Sequence, residues 1–256
     1  MLKILICILA GAGAGIGTGI AGLSAAAVIA PMLITFLDVN AYEAVGIALA
    51  SDVLASAASA LTYKKNKNID IKNGLIMLVS VLVFTFIGSY IASFLPLTAM
   101  GGFSVFMTLI VGIKFIVKPV VGASESNKNR SRKKAAVLSA VCGVAVGLIC
   151  GIVGAGGGMM MLLVLVGVLG YELKTAVGTS VFIMTFTALT GAASHFVLGG
   201  GITDFSVLVL CVVSTLVFAL ITAKFANKAT PKTMNRTLGI CLVVLGAVMI
   251  TVKYLL

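Results

Sequence analysis

The chain has 256 residues, 61% of them hydrophobic and 10% charged, with a mean hydropathy of +1.23 and a formal net charge of +11. No soluble domain has that composition, and runs long enough to cross a bilayer (about 20 residues each) fill so much of the chain that none is left over. The surplus cations fall in short loops between apolar runs, without aromatic–basic interleaving, so anionic lipid is their nearest partner and nucleic acid is excluded.

In chain order, Met1–Gly15 imitates a secretory signal: one lysine, an apolar stretch, then small residues. A longer-range pattern argues against cleavage. Laid over Gly143–Ala192 without a gap, Gly11–Ala60 puts Gly11 on Gly143, Gly15 on Gly147, Gly19 on Gly151 and Gly22 on Gly154; Ala44-Val45-Gly46 falls on Ala176-Val177-Gly178. Cleavage would cut into one of two repeated units, so a retained N-terminus is expected. Glycine-interrupted hydrophobic segments at matching positions of two halves point to the midplane site of a secondary transporter.

The apolar segments are Ile4–Leu37, Ala41–Tyr63, Ile71–Leu95, Thr98–Val117, Ala135–Leu169, Leu173–Leu198, Phe205–Ala223 and Thr237–Leu256. As unbroken helices the first and fifth would each be about 51 Å long, against a hydrocarbon core of ~30 Å. Each carries a glycine cluster just past its midpoint, Gly19-Ile20-Ala21-Gly22 and Gly154-Ala155-Gly156-Gly157-Gly158. Each is therefore predicted to be a helix, a break and a shorter second helix. Broken backbone at membrane depth is tolerated only against protein or a water-filled cavity. The every-fourth glycines before the breaks suit close helix packing.

The expected organisation is an all-α integral membrane protein of about 8–10 segments. Residues 1–122 form the first transmembrane repeat, 123–134 a basic cytoplasmic linker and 135–256 the second repeat. Basic residues gather at Lys64–Lys72, Lys118–Lys134 and Lys224–Arg236; the links Asp38–Glu43, Pro96–Gly102 and Gly199–Asp204 carry none. If each broken segment crosses once with a re-entrant stub, there are eight crossings and the third basic loop opposes the other two. If each goes out and back, there are ten, and all three loops share one face as the positive-inside rule favours, with the halves inverted. The short second limb, Met159–Leu169, spans only about 17 Å at the helical rise, which counts against the second scheme. Both stay open at this level.

The residues Gly151-Ile-Val-Gly154-Ala-Gly-Gly-Gly158, then Ala176-Val-Gly-Thr-Ser180, then Gly201-Ile-Thr-Asp204-Phe, with Pro231 before a last apolar helix, resemble the TauE/SafE sulfite exporter family. The resemblance covers essentially the whole chain. The first half is a degenerate copy, keeping Gly19 and Gly22 but reading Ser24-Ala25-Ala26 for the three glycines and Gly46-Ile47-Ala48 for Gly-Thr-Ser; Pro31 follows its break, as in the family's first half. The resemblance implies a multi-pass permease of a bacterial or archaeal plasma membrane. Its substrates would be small anions, sulfite and organosulfonates among them.

The residues themselves support an anion site. Second half-helices beginning at Ser24 and Gly156 would aim free N–H groups and the positive end of the helix dipole at the protein centre. Glycine lets an oxyanion touch those amides directly. Candidate substrate-binding residues are thus Gly22, Ser24, Gly154, Gly156, Gly157, Gly158, Thr179 and Ser180. A plain turn is the structural alternative for the glycines, and back-bonding within their own helix is that for Thr179 and Ser180.

Asp52 is the acidic residue well inside an apolar run, and its repeat counterpart is Met184. An ionisable group at that depth is costly, which suits proton coupling; a hydrogen-bonded structural carboxyl is the other reading. Lys114 is a partner for it, or snorkels to the surface. The single histidine, His195, reads more readily as an interfacial cap than as a proton relay. The five cysteines lie in apolar runs without a C-x-x-C pair and read as small apolar residues; Cys150 abuts the second cluster.

Neither a phosphate loop nor H-E-x-x-H occurs, and no cofactor is implied. The expected function is secondary transport of a small anion of the sulfite or organosulfonate type, with proton coupling through Asp52. A carrier or channel for another organic anion, such as a carboxylate, is the runner-up, and a membrane-embedded enzyme is remote. The expected partners are that anion and the lipid bilayer, with homo-oligomerisation left open.

Overall fold

The computed structural model describes residues 2–92, 109, 113, 116, 117, 132–153, 157–198 and 201–255. No strand occurs among them. The helices are α1 (Leu2–Ala21), α2 (Ile29–Leu37), α3 (Ala41–Lys65), α4 (Ile71–Ala92), α5 (Arg132–Val153), α6 (Gly157–Leu163), α7 (Leu173–Leu198), α8 (Phe205–Lys228) and α9 (Pro231–Leu255). A 3-10 turn, Ala25–Ala27, leads into α2, and α6 runs on as π-helical turns at Val164–Val168. Helices α1, α3, α4, α7 and α8 hold the five stretches long and apolar enough to cross a bilayer. The first break falls where its glycine cluster predicts, after Ala21; residues 154–156 of the second cluster lie outside the described residues. Residues 123–131 of the basic linker, Gly154, Gly156 and Lys114 lie outside the described residues, and Arg132, Lys133 and Lys134 open α5.

Polar residues set several helix ends. Asn40 caps α3 by accepting from Tyr42 N–H at 2.9 Å, Glu43 sits in its first turn, and Lys64 and Lys65 close its last. Asp204 caps α8 by accepting from Ser206 N–H at 3.0 Å. Its carboxyl is held well below the ordinary range by Lys3, with Ser206 adding to the effect.

Small residues then choose the helix pairs. Cys211, Thr215, Ala219 and Ala223 form one buried face of α8, while Val209, Val213, Val217 and Ile221 form an exposed one that suits lipid. Gly11, Gly15 and Gly19 of α1 lie on the buried face in ascending order, so α1 and α8 are parallel. A Cβ at Gly15 would stand 2.8 Å from Ala219 N. In the same way Gly143 lies on Met77 and Ser80, and Gly147 on Val81 and Thr85, so α5 and α4 are parallel. Between these pairs α3 and α7 run antiparallel: 46 faces 196, 49 faces 191, 56 faces 185 and 63 faces 178.

These pairings sort the loops. Asn68 donates to Asn227 Oδ1 at 2.8 Å and Lys174 donates to the Asn227 carbonyl at 2.8 Å, which brings the Lys64–Lys72 and Lys224–Lys232 segments to one end of the molecule. At the other end Glu43 accepts from Thr203 N–H at 2.7 Å, and Lys3 pairs with Asp204. One buried cluster, around Tyr63, Met77, Leu162 and Val181, fills the basic end; another, around Ile29, Leu33, Ile47 and Ala192, fills the acidic end. Asp52 sits midway along α3 and is 1% exposed.

Overpacked helix contacts cost about 1–3 kcal/mol. Gly147→Val, whose Cβ would stand 2.6 Å from Val81 O, is expected to lower the melting temperature and yield of the detergent-purified protein. Gly167→Ala, where a Cβ meets nothing within 4 Å, should leave both unchanged. Equal melting temperatures would show that the glycine seam does not hold α5 to α4.

Candidate functional site

The first break is built around Gly22. Its φ of 63° is left-handed, a conformation that disfavours any side chain, and its N–H donates to Thr18 O at 2.9 Å to close α1. The Thr18 hydroxyl ties the break down by donating to Leu23 O at 2.8 Å. Ser24 opens the second leg, its Oγ accepting from Ala26 N–H at 3.3 Å. Tyr63 reaches from the far end of α3 to donate to Gly19 O at 3.0 Å.

The start of α6 lies against the first break. A Cβ on Gly158 would meet Gly22 O and stand 2.8 Å from Ser24 N and from Met184 Sδ. Backbone thus lies against backbone where α1 turns into its return leg and α6 begins. Asp52 is the charged group at this junction. Thr18 Oγ1 lies 3.4 Å from its Oδ1, and the Ser24 hydroxyl and the Ala25 backbone also approach it. The amide end of the first return leg therefore faces a carboxyl that the chain itself supplies.

A cavity of about 30 Å3 opens beside Asp52, room for about two water molecules. The first half contributes Ser24, Leu49, Asp52 and Thr85 to its wall. The second contributes Cys150, Gly158 and a face of α7 in which Met184, Thr187, Gly191 and His195 follow one another at helical spacing. No Lys or Arg is among the lining residues. Asp52 and its counterpart Met184 share the cavity. Two buried polar atoms in this wall, Thr85 Oγ1 and His195 Nδ1, have no hydrogen-bond partner among the described residues. An unpaired buried polar group costs about 1–3 kcal/mol.

The predicted site residues are distributed unevenly around this centre. Gly22, Ser24, Gly158 and Asp52 come together at it. Gly157 is the first residue of α6. Gly154 and Gly156 lie outside the described residues. Ser180 donates to Val177 O at 2.9 Å and presents its Oγ to the place a Gly22 Cβ would take, so it is back-bonded and packed on the first break. Thr179 accepts from Asp70 N–H at 3.1 Å, which ties α7 to the link before α4. That link is pinned again by Tyr171, whose hydroxyl donates to Asp70 Oδ2 at 2.9 Å. Sequence reasoning missed Thr18 and Thr85, whose only signal was a hydroxyl in an apolar helix, and took His195 for an interfacial cap.

Five long apolar helices among the described residues, the first ending at a glycine break beside an enclosed cavity, define an all-α integral membrane protein. The chain belongs to the sulfite exporter TauE/SafE family, whose model matches residues 7–249. It is 24% identical over 213 residues to the probable membrane transporter protein YdhB of Bacillus subtilis (strain 168), a match covering 83% of this chain and 86% of that one. It is 27% identical over 218 residues to the probable membrane transporter protein YunE of the same organism, covering 77% and 80%. The protein is a membrane transporter.

Gly22→Ala combines a left-handed backbone with a contact on Ser180 Oγ. It is expected to destabilise by about 1–2 kcal/mol for the backbone conformation alone. In a double-mutant cycle with Ser180→Ala, the contact part should be recovered and appear as a coupling of at least ~0.5 kcal/mol, read by thermal unfolding. Strict additivity would mean that Ser180 does not press on the break.

Proposed function

We propose that the protein is a secondary transporter of small oxyanions of the sulfite or organosulfonate type, coupled to protons through Asp52. The observation that carries this reading is the placing of one buried carboxyl where the first helix break, the start of α6 and the cavity meet. Glycine backbone at the breaks offers amides to an anion, as in other transporters with interrupted helices. Family membership supports the substrate class, as the family is described as one of sulfite exporters.

Electrostatics supplies the coupling. Two like charges 4 Å apart at an effective dielectric constant of ~20 repel by about 4 kcal/mol. With no cationic residue in the described wall, an anion and an ionised Asp52 exclude each other, and an anion enters together with a proton on Asp52. Moving the two together also removes a charge from the potential, worth ~2.3 kcal/mol per charge per 100 mV.

The orientation follows from the basic end, which the positive-inside rule assigns to the cytoplasm. Under the 132-residue offset of the repeat, α3 corresponds to α7, and these two helices run antiparallel. Likewise α1 on α8 corresponds to α5 on α4. Both relations support inverted repeats with five crossings per half and all basic loops on one face. Cysteines placed at Asn66 and Lys228 should then both be shielded from an impermeant thiol reagent outside the cell. Labelling of Lys228→Cys alone would favour eight crossings.

The coupling test uses proteoliposomes loaded with sulfite, an organosulfonate or a carboxylate. Asp52→Asn is expected to keep substrate-for-substrate exchange and lose accumulation driven by a pH gradient. Normal pH-driven accumulation in that variant would make Asp52 a structural carboxyl. Exchange of carboxylate alone would move the substrate assignment to that class.

A further inference from the structure

We propose that Thr85 and His195 are the side-chain donors that hold the transported anion on the acidic-end side of Asp52. This rests on the oxyanion reading above and adds two binding residues to it.

Hydroxyls in these helices normally satisfy themselves. Ser51, Ser56, Thr62, Thr187 and Thr222 each donate to a carbonyl three or four residues earlier. Thr85 does not, although it is only 4% exposed. His195 Nδ1 is buried and meets no partner at hydrogen-bond geometry either, although the ring also approaches the Tyr42 backbone and packs on the Tyr42 ring at a centroid distance of 4.9 Å. Of the three buried side-chain atoms without a partner among the described residues, these two line the Asp52 cavity, and Ser59 Oγ does not.

Their positions along the helices are complementary. Thr85 stands two-thirds of the way along α4 from the basic end, and His195 lies three residues before the acidic end of α7. Gly191, between His195 and Met184, and Gly158 also line the cavity, with Leu49 packed on the first and Gly22, Ser24 and Met184 on the second. A hydroxyl and an imidazole N–H offer one donor each, with no fixed charge. That set suits an oxyanion that must be released again, where a lysine or arginine would hold it fast. It also leaves Asp52 as the proton carrier, with the two donors contacting the anion directly.

The experiment measures binding of sulfite, methanesulfonate and acetate to the full chain in nanodiscs by calorimetry, the tightest of the three then serving as probe. Thr85→Val keeps shape and removes the hydroxyl; His195→Leu removes the ring nitrogens, and His195→Asn restores a polar group at the Nδ1 position. Each of the first two variants is expected to weaken binding about 10-fold, in line with a lost hydrogen bond to a charged group. His195→Asn should recover most of the loss. The ligand-free melting temperature of Thr85→Val should be unchanged or higher, because that change breaks no protein hydrogen bond among the described residues. Wild-type affinity in either Thr85→Val or His195→Leu overturns the proposal while the oxyanion reading stands. A sharply lower ligand-free melting temperature for Thr85→Val overturns it too, by showing a structural partner. If the wild type binds none of the three anions, the oxyanion reading fails and the proposal with it.

Discussion

Backbone meeting backbone at Gly158, Gly22 and Ser24 is the contact on which the rest of this molecule depends. A bilayer offers no water to an interrupted helix, so every amide and carbonyl freed at a break must find a partner inside the protein or a cavity. The start of α6 lies against the first break here, and the missing Cβ of Gly158 allows that approach. Thr18 and Tyr63 then satisfy carbonyls around the first break. The glycine seams of α1 on α8 and α5 on α4 act as the frame that carries the breaks to one place, and the antiparallel α3–α7 pair closes the two sides of the cavity.

The two halves are built alike and differ in chemistry. In the first, a carboxyl from α3 faces the amide end of the return leg. In the second, the equivalent position is Met184, whose sulfur stands by Gly158. The proposed mechanism uses that inequality. In that mechanism the carboxyl beside the first break is ionised when the cavity is empty and protonated when the anion is bound. Symmetry supplies the frame, and in the proposed mechanism the Asp52–Met184 inequality supplies the coupling.

Much of the frame was legible in the sequence, because the bilayer restricts what a long apolar run with a glycine cluster can be. Segments too long for one crossing had to break, and the first does so at Gly22. Asp52 was legible for the same reason, as a carboxyl in an apolar helix. Side-chain partners were not. Thr179 and Ser180 share a motif with the glycines, yet one secures a loop and the other is back-bonded. Thr85 and His195 are set apart by hydrogen bonds they do not make, and a missing bond has no signature in a linear sequence. Which loops share an end also depended on pairings such as Asn68 with Asn227, 159 positions apart.

The central claim is that an anion in the cavity and a proton on Asp52 arrive together. Infrared difference spectroscopy of the wild type and Asp52→Asn in lipid, on adding sulfite, tests it most directly. The account predicts a protonated-carboxyl band that grows with bound substrate in the wild type and is absent from the variant. Saturating sulfite binding with no change in the carboxyl region would contradict it.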